Sequence, residues 1–397
     1  MAGPLQGVKV LDFTAFQQGP QATVVLADMG AEVIKVEPPL LGDLGRYVAL
    51  LDEPERFSAY FLAHNRGKRS ITLNLKTEEG RRIAYRLAEG SDVAAHNFRP
   101  GVAERLGIGY EDLRRVNARI IYAHASGWGT RGPKAELPCF DITAQARGGL
   151  ISVTGEADGY PLPAGAAVAD YAGAVNLALA IIAALYARER TGVGQRVEVS
   201  LLGAQVAMQS WQLQYFLLSG QDPGRAGRGG TYLPTIWRVF KTADGYAVVG
   251  GMPENRWPGF CQAVGMPELA ADPRFETFFV RRLHLDELYA ILEPVFEGRT
   301  TAEWMEALEA VDTVCAPVAT YTDVACDPQV LENEYIVEVD HHLLGRIPMV
   351  AHAVQLSETP ARVAASAPEL GQHTEEVLLE LGYTWEQIGA LREKQVI

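Results

Sequence analysis

At 397 residues the chain exceeds one ordinary hydrophobic core, so two domains are expected. A formal charge of −14 disfavours a nucleic-acid-binding surface, although a local basic pocket can still receive an anionic ligand. Cys139, Cys261, Cys315 and Cys326 show no CxxC spacing, which excludes a metal ribbon or dithiol motif and fits a reduced, cytoplasmic setting. No secretory signature opens the chain. The most apolar stretch, residues 174–187, falls short of the roughly 20 residues a membrane helix needs, so no membrane association is expected.

Residues 7–13 alternate like a strand. A loop follows, and Pro20 suits the first turn of a helix reaching Met29. Residues 31–37 form a second strand. Strand, helix and strand within ~30 residues make a β-α-β unit and a parallel sheet. The first turn lacks GxGxxG, so no dinucleotide fingerprint is present. A basic turn followed by a strand is expected over 65–76, and further strands at 92–96, 119–126 and 196–201, with helices at 77–89, 102–106, 110–117 and 141–150 between them. A long helix is expected over 171–188 and one more over 204–218. Residues 219–230 read as a Gly/Arg linker. An Asp244-Gly245 hairpin turn and several helices then suggest a smaller α+β domain. Residues beyond Pro328 read as extended, before a helical tail at 374–381 and 385–394.

Asp170 stands between a glycine- and alanine-rich approach and the long apolar helix. Asp is a preferred helix N-cap, and small neighbours also leave room for a ligand. On position alone, capping and catalysis both stay open. Gly227-Arg228-Gly229-Gly230 is either a linker or a lid offering N–H groups to an oxyanion. Arg66/Lys68/Arg69 and Arg99/Arg105 either meet phosphates or solvate the surface. His341 and His342 would face opposite ways on a strand, and HxH and HExxH are absent, so no metal is expected.

Certain motifs recur in a fixed order: Asp12-Phe13-Thr14, Gln17 with Gly19-Pro20, residues 26–37, Asn65-Arg66-Gly67-Lys68-Arg69-Ser70, Asn97-Phe98-Arg99-Pro100-Gly101, Arg105-Leu106-Gly107 and Leu370-Gly371-Gln372-His373-Thr374. Together they resemble the family III coenzyme A transferases (CaiB/BaiF type), the group of formyl-CoA and carnitine CoA-transferases, over nearly the whole chain. The resemblance implies an α/β fold. A large Rossmann-like domain (1–203, completed by 350–397) is joined by linkers (204–227 and 329–349) to a small α+β domain (228–328). Ring-like protomers would interlock as a homodimer.

The same resemblance assigns Asp170 as the nucleophile. It would attack an acyl-CoA, succinyl-CoA or similar, and pass CoA to a free carboxylic acid through an aspartyl–acyl anhydride and an aspartyl-CoA thioester. Free Asp is ionised near pH 7 without a general base, and N–H groups at the helix start would keep it so. Gln17 would sit near the thioester, and Gly229 and Gly230 would shield the anhydride from water. Leu73, Lys76, Asn97, Phe98 and Arg105 would bind the nucleotide arm of CoA, flanked by Phe16, Gln18 and Val102. CoA thioesters are then substrates, with no permanently bound cofactor.

The chain departs from the oxalate-using branch at four positions: Ala15 replaces histidine, Phe140 tyrosine, Pro38 arginine and Leu201 methionine. A larger or less polar acid is expected in that pocket, with Arg46 or Lys68 serving as the phosphate partner that Pro38 cannot be. The related α-methylacyl-CoA racemases place a histidine where Phe140 stands. Phe140 cannot move a proton, which disfavours racemisation; racemase and a non-catalytic CoA-binding protein are the alternatives to transfer.

Overall fold

The computed structural model describes residues 3–51 and 57–397. Six parallel strands form the main sheet: β1 (Lys9–Asp12), β2 (Glu32–Glu37), β3 (Lys68–Thr72), β4 (Val93–His96), β5 (Ile121–Ser126) and β6 (Arg196–Ser200). Their spatial order is β3-β2-β1-β4-β5-β6. The winding reverses between β1 and β4. In an open α/β sheet, that reversal puts the ligand crevice beyond the carboxyl ends of those two strands.

Helices cover both faces. On one lie α1 (Gln18–Asp28) and the long helix α8 (Val168–Thr191), which bury Val25, Leu26, Leu177 and Ile181 against Val10, Val33 and Ile121. On the other lie α3 (Glu78–Glu89), α5 (Tyr110–Val116) and the C-terminal helices Thr374–Glu380 and Trp385–Glu393. Ile83, Leu87, Val377, Leu378 and Ile388 close that core over Leu11 and Ile71. Layers on both faces explain why every residue of β4 and β5 is buried, with no alternation of exposed positions.

The remaining helices named below are α2 (Ala59–Asn65), α4 (Val102–Arg105), α6 (Asp141–Arg147), α7 (Leu150–Val153), α9 (Leu201–Met208) and α10 (Ser210–Ser219). The structure divides into two compact units, one of residues 1–148, 165–208 and 328–397, the other of 149–164 and 209–327. In the smaller unit, β7 (Trp237–Lys241) and β8 (Tyr246–Gly250) pair as the expected antiparallel hairpin, with β9 (Cys315–Pro317) beside β8. Phe240, Phe296 and Trp304 stack at its centre, with ring centroids 4.2 and 4.5 Å apart.

Several expectations change. Residues 149–164 group with the smaller unit rather than the large domain. The single helix expected at 204–218 is two, α9 and α10, interrupted at Gln209, so most of the supposed linker 204–227 is helical. The supposed linker 329–349 holds a hairpin, β10 (Ile336–His341) against β11 (Gly345–Val350), in the larger unit. Helix α8 has 24 residues, long enough by itself to cross a membrane, and begins before the predicted start. Its alanines and leucines on one face are core residues against the sheet.

Candidate active site

The site is built from the loops that leave the carboxyl ends of the strands. Asp12 ends β1 with no exposed surface. It accepts hydrogen bonds from the Thr14 backbone N–H at 2.8 Å, from Thr23 Oγ1 at 2.7 Å and from Lys68 Nζ at 3.0 Å. Burial alone would raise this carboxyl; the nearby Lys68 and Lys35 ammonium groups outweigh it and hold Asp12 at about 2. The chain then turns so tightly that a Cβ on Gly19 would lie 2.4 Å from Thr14 Cγ2, which explains the glycine.

Residues 14–16 are fixed atom by atom. Lys35 Nζ donates to the Thr14 carbonyl at 2.8 Å. Asn97, just beyond β4, accepts from the Ala15 N–H at 2.8 Å and donates to the Ala15 carbonyl at 2.7 Å. The Phe16 N–H donates to Asp43 Oδ1 at 3.0 Å, and Phe16 itself has a φ of 63°, a strained value for an aromatic residue. Phe98 is held as firmly: its N–H donates to His96 Nδ1 and its carbonyl faces His124 Nε2 at 2.9 Å. Burial keeps both histidines below their ordinary value, hence neutral near pH 7.

Two cavities meet on these loops and share Phe16, Asn97 and Phe98. The larger, about 460 Å³, runs between the ends of β1, β2 and β3 and is mostly apolar, with Leu73, Leu75, Phe98 and Leu106 in its walls. Lys76 brings an exposed ammonium to it. The smaller, about 250 Å³, contains Asp170, Gln17, Gln18, Tyr60, Arg99, Cys139, Phe140 and Leu201. The rings of Phe16 and Phe140 meet edge to face, 6.2 Å apart.

Asp170 is in the first turn of α8, and its side chain caps nothing; Ala167 holds the cap position. The helix-start N–H groups go instead to Asp141, whose Oδ1 accepts from Ala169 at 2.7 Å and from Asp170 at 3.0 Å. The expectation that these N–H groups keep Asp170 ionised is therefore corrected. Burial, and then the Asp141 carboxylate, push Asp170 up to about 7. Burial and then Asp170 also raise Tyr60, so the phenol beside Asp170 stays protonated near pH 7. Cys139 is raised by its own burial.

The expected site residues separate into groups. Leu73, Lys76, Asn97 and Phe98 line the larger cavity together, joined by Ala15, which the sequence places in the acid pocket. Gln17, Asp170, Phe140 and Leu201 share the smaller cavity. Gln18 is there too, because α1 turns it towards Gly173 of α8 and away from the nucleotide groove. Val102 and Arg105 lie on α4 and line neither cavity, although Leu106, next in the chain, does.

Gly229 and Gly230 belong to the smaller unit. There the Gly229 N–H donates to the Ala226 carbonyl, and Gly229 bridges to Arg238. Arg46 and Lys68 are both engaged elsewhere. Arg46 forks onto Glu37 at 2.7 and 2.9 Å and stacks on Phe61, while Lys68 is buried on Asp12, Asn65 and the Pro20 carbonyl. Neither presents a charge to a phosphate.

His341 and His342 do not face opposite ways. His341 ends β10 and His342 begins the turn, so their rings stack 4.7 Å apart, with Glu369 3.7 Å from His342 Nε2. Sequence reasoning missed Tyr60, Asp141 and Cys139 as neighbours of Asp170. For Asp141 a signal existed, an Asp opening a helix pattern, but nothing in the sequence shows that it caps a different helix.

An open parallel sheet with a crevice at its switch point, and a half-buried carboxyl in a small cavity that adjoins a longer apolar groove, define an α/β enzyme acting on an extended substrate. The comparisons with known proteins name the class. The sequence matches CoA-transferase family III over residues 5–374. It is 37% identical over 406 residues to an acyl-CoA transferase of Fusarium pseudograminearum, covering all of this chain and 88% of the relative. It is 34% identical to a formyl-CoA:oxalate CoA-transferase of Escherichia coli O6:H1, with both chains fully covered. Among solved structures, a CaiB/BaiF family protein from Brucella suis superposes with a TM-score of 0.86 at 32% identity, covering 96% of this chain and all of that one. The chain belongs to CoA-transferase family III and is an enzyme of that family. Acyl-CoA thioesters and carboxylic acids fit it as substrates.

Proposed function

We propose that this enzyme moves CoA from an acyl-CoA to an acid with an apolar arm, using Asp170 as a covalent nucleophile. One observation carries the reading: the half-buried Asp170 carboxyl, raised to about 7, opens into the smaller cavity, where Phe16, Phe140 and Leu201 stand beside Gln17, Tyr60 and Arg99, and which adjoins the Leu73–Phe98 groove. A carboxylate with few water contacts is a better nucleophile than a solvated one.

The nucleotide lies along the larger groove, and the thioester reaches the smaller cavity past Phe16. Ionised Asp170 attacks the thioester carbonyl, the C–S bond breaks, and an aspartyl–acyl anhydride and CoA thiolate form. The thiolate attacks the aspartyl carbonyl and expels the donor acid as carboxylate, leaving an aspartyl-CoA thioester. The acceptor carboxylate attacks that thioester and releases the thiolate. The thiolate then attacks the acceptor's acyl carbon and frees Asp170. In this reading Gln17 and the protonated Tyr60, which line the cavity with Asp170, donate to the oxyanions, and Gly229 and Gly230 shield the anhydride from water.

Phe140, Phe16 and Leu201 favour an apolar acid over a small dianion, and succinyl-CoA or a similar thioester is the donor class to try first. Phe140 carries no proton to exchange, which argues against α-methylacyl-CoA racemisation. A cytoplasmic enzyme binding CoA without a metal suits this chemistry. An exposed stripe on α8 of Tyr171, Val175, Leu179 and Tyr186 supports an interlocked homodimer.

The test incubates the enzyme with acyl-CoA donors and labelled carboxylates. New thioesters are expected; loss of α-hydrogen configuration without acyl exchange would support the racemase, and CoA binding without either reaction would support a binding protein.

A further inference from the structure

Asp43 plays no part in the chemistry above, yet it is 3% exposed and sits in the wall of the larger groove. Its Oδ1 accepts from the Phe16 N–H at 3.0 Å and from the Gly45 N–H at 2.9 Å. Its Oδ2 is 2.9 Å from Lys35 Nζ, which has no exposed surface. Lys35 in turn donates to the Thr14 carbonyl. One buried ion pair therefore ties the loop after β1 to the loop after β2, the two sides of the groove mouth. What it holds is Phe16, a residue at positive φ on the boundary between the two cavities. A strained aromatic residue stays in place only if its surroundings fix it.

We infer that Asp43 and Lys35 are positioning residues that hold Phe16 as a rigid divider, so that binding of the nucleotide in the larger groove is converted into alignment of the thioester against Asp170. The inference rests on the transfer reading above. Remote binding energy accelerates a reaction only when a stiff connection carries it to the reacting atoms. A loosened Phe16 leaves nucleotide binding intact and breaks that connection. A carboxylate is required at position 43 because Oδ1 accepts the two backbone N–H groups while Oδ2 sets a negative charge against the buried Lys35 ammonium. An amide has one acceptor oxygen, so Asp43→Asn must present an N–H either to Lys35 or to the two backbone N–H groups.

The experiment compares a full acyl-CoA with the matching N-acetylcysteamine thioester, which has the same reacting bond and no nucleotide. In Asp43→Asn, kcat/KM for the acyl-CoA is expected to fall ~10-fold or more, mostly in kcat, while that for the short thioester changes less than ~2-fold. The Kd for free CoA stays as in the wild type. Lys35→Met/Asp43→Asn removes the pair without stranding a buried charge, and is expected to show the same selective loss if the single variant does not fold. Equal losses on both thioesters, or no loss on either, overturn the inference. A wild-type enzyme that transfers from neither thioester overturns the transfer reading itself.

Discussion

Asp141 Oδ1 accepts the backbone N–H of Asp170 at 3.0 Å. One carboxylate thereby caps the helix that carries the other, and leaves Asp170 without the N–H partners that would hold it ionised. The same contact brings a second negative charge close enough to raise Asp170. The helix is secured and the nucleophile is tuned by one residue.

The rate should accordingly follow ionisation of Asp170. Transfer is expected to increase with pH through an acid limb near the value of about 7 to which Asp170 is raised. A kcat/KM profile with an acid limb near pH ~4, the range of a free Asp, would show that Asp170 is not the titrating group.

Asp141→Asn keeps one acceptor oxygen for the helix start and removes the charge. The acid limb should move down by about one unit, with the maximal rate reduced less than ~10-fold. Burial, the larger cause of the raised value, is unchanged by the substitution.

The raised carboxyl also has a stability consequence. Asp170 binds its proton more tightly folded than unfolded, so its contribution is fully present below the unfolded value of about 4 and is lost as pH rises through about 7. Asp170→Asn should leave stability at pH ~4 nearly unchanged and raise it by up to ~4 kcal/mol at pH ~8. Urea unfolding at the two pH values checks this.

Pro38 lines the larger groove where the oxalate-using branch has an arginine, and neither Arg46 nor Lys68 replaces it. Pro38→Arg should lower KM for the acyl-CoA several-fold with kcat unchanged, because it adds uniform binding. Arg46→Ala should act on stability instead. It strands buried Glu37 and costs roughly 2–4 kcal/mol of stability, with little direct effect on CoA affinity in the molecules that fold.

Much of the larger unit was legible from local pattern. Strand and helix periods place β1, α1 and β2, and Pro20 marks the first turn of α1. What pattern cannot supply is which distant groups meet. Asp170 reads as a cap because Asp before an apolar run usually is one, and only the fold shows Asp141 in that place. Lys68 and Arg46 read as phosphate ligands because sequence gives charge without burial. Gln209 carries no helix-breaking signal, so α9 and α10 read as one helix. Phe16 gave no sign of its positive φ, which depends on Asp43, Lys35 and Asn97 acting together.

The most direct measurement is mass spectrometry of the enzyme quenched during turnover. A CoA adduct on the peptide containing Asp170, absent from Asp170→Ala together with all exchange, is the predicted result. Undiminished CoA exchange by Asp170→Ala would contradict it.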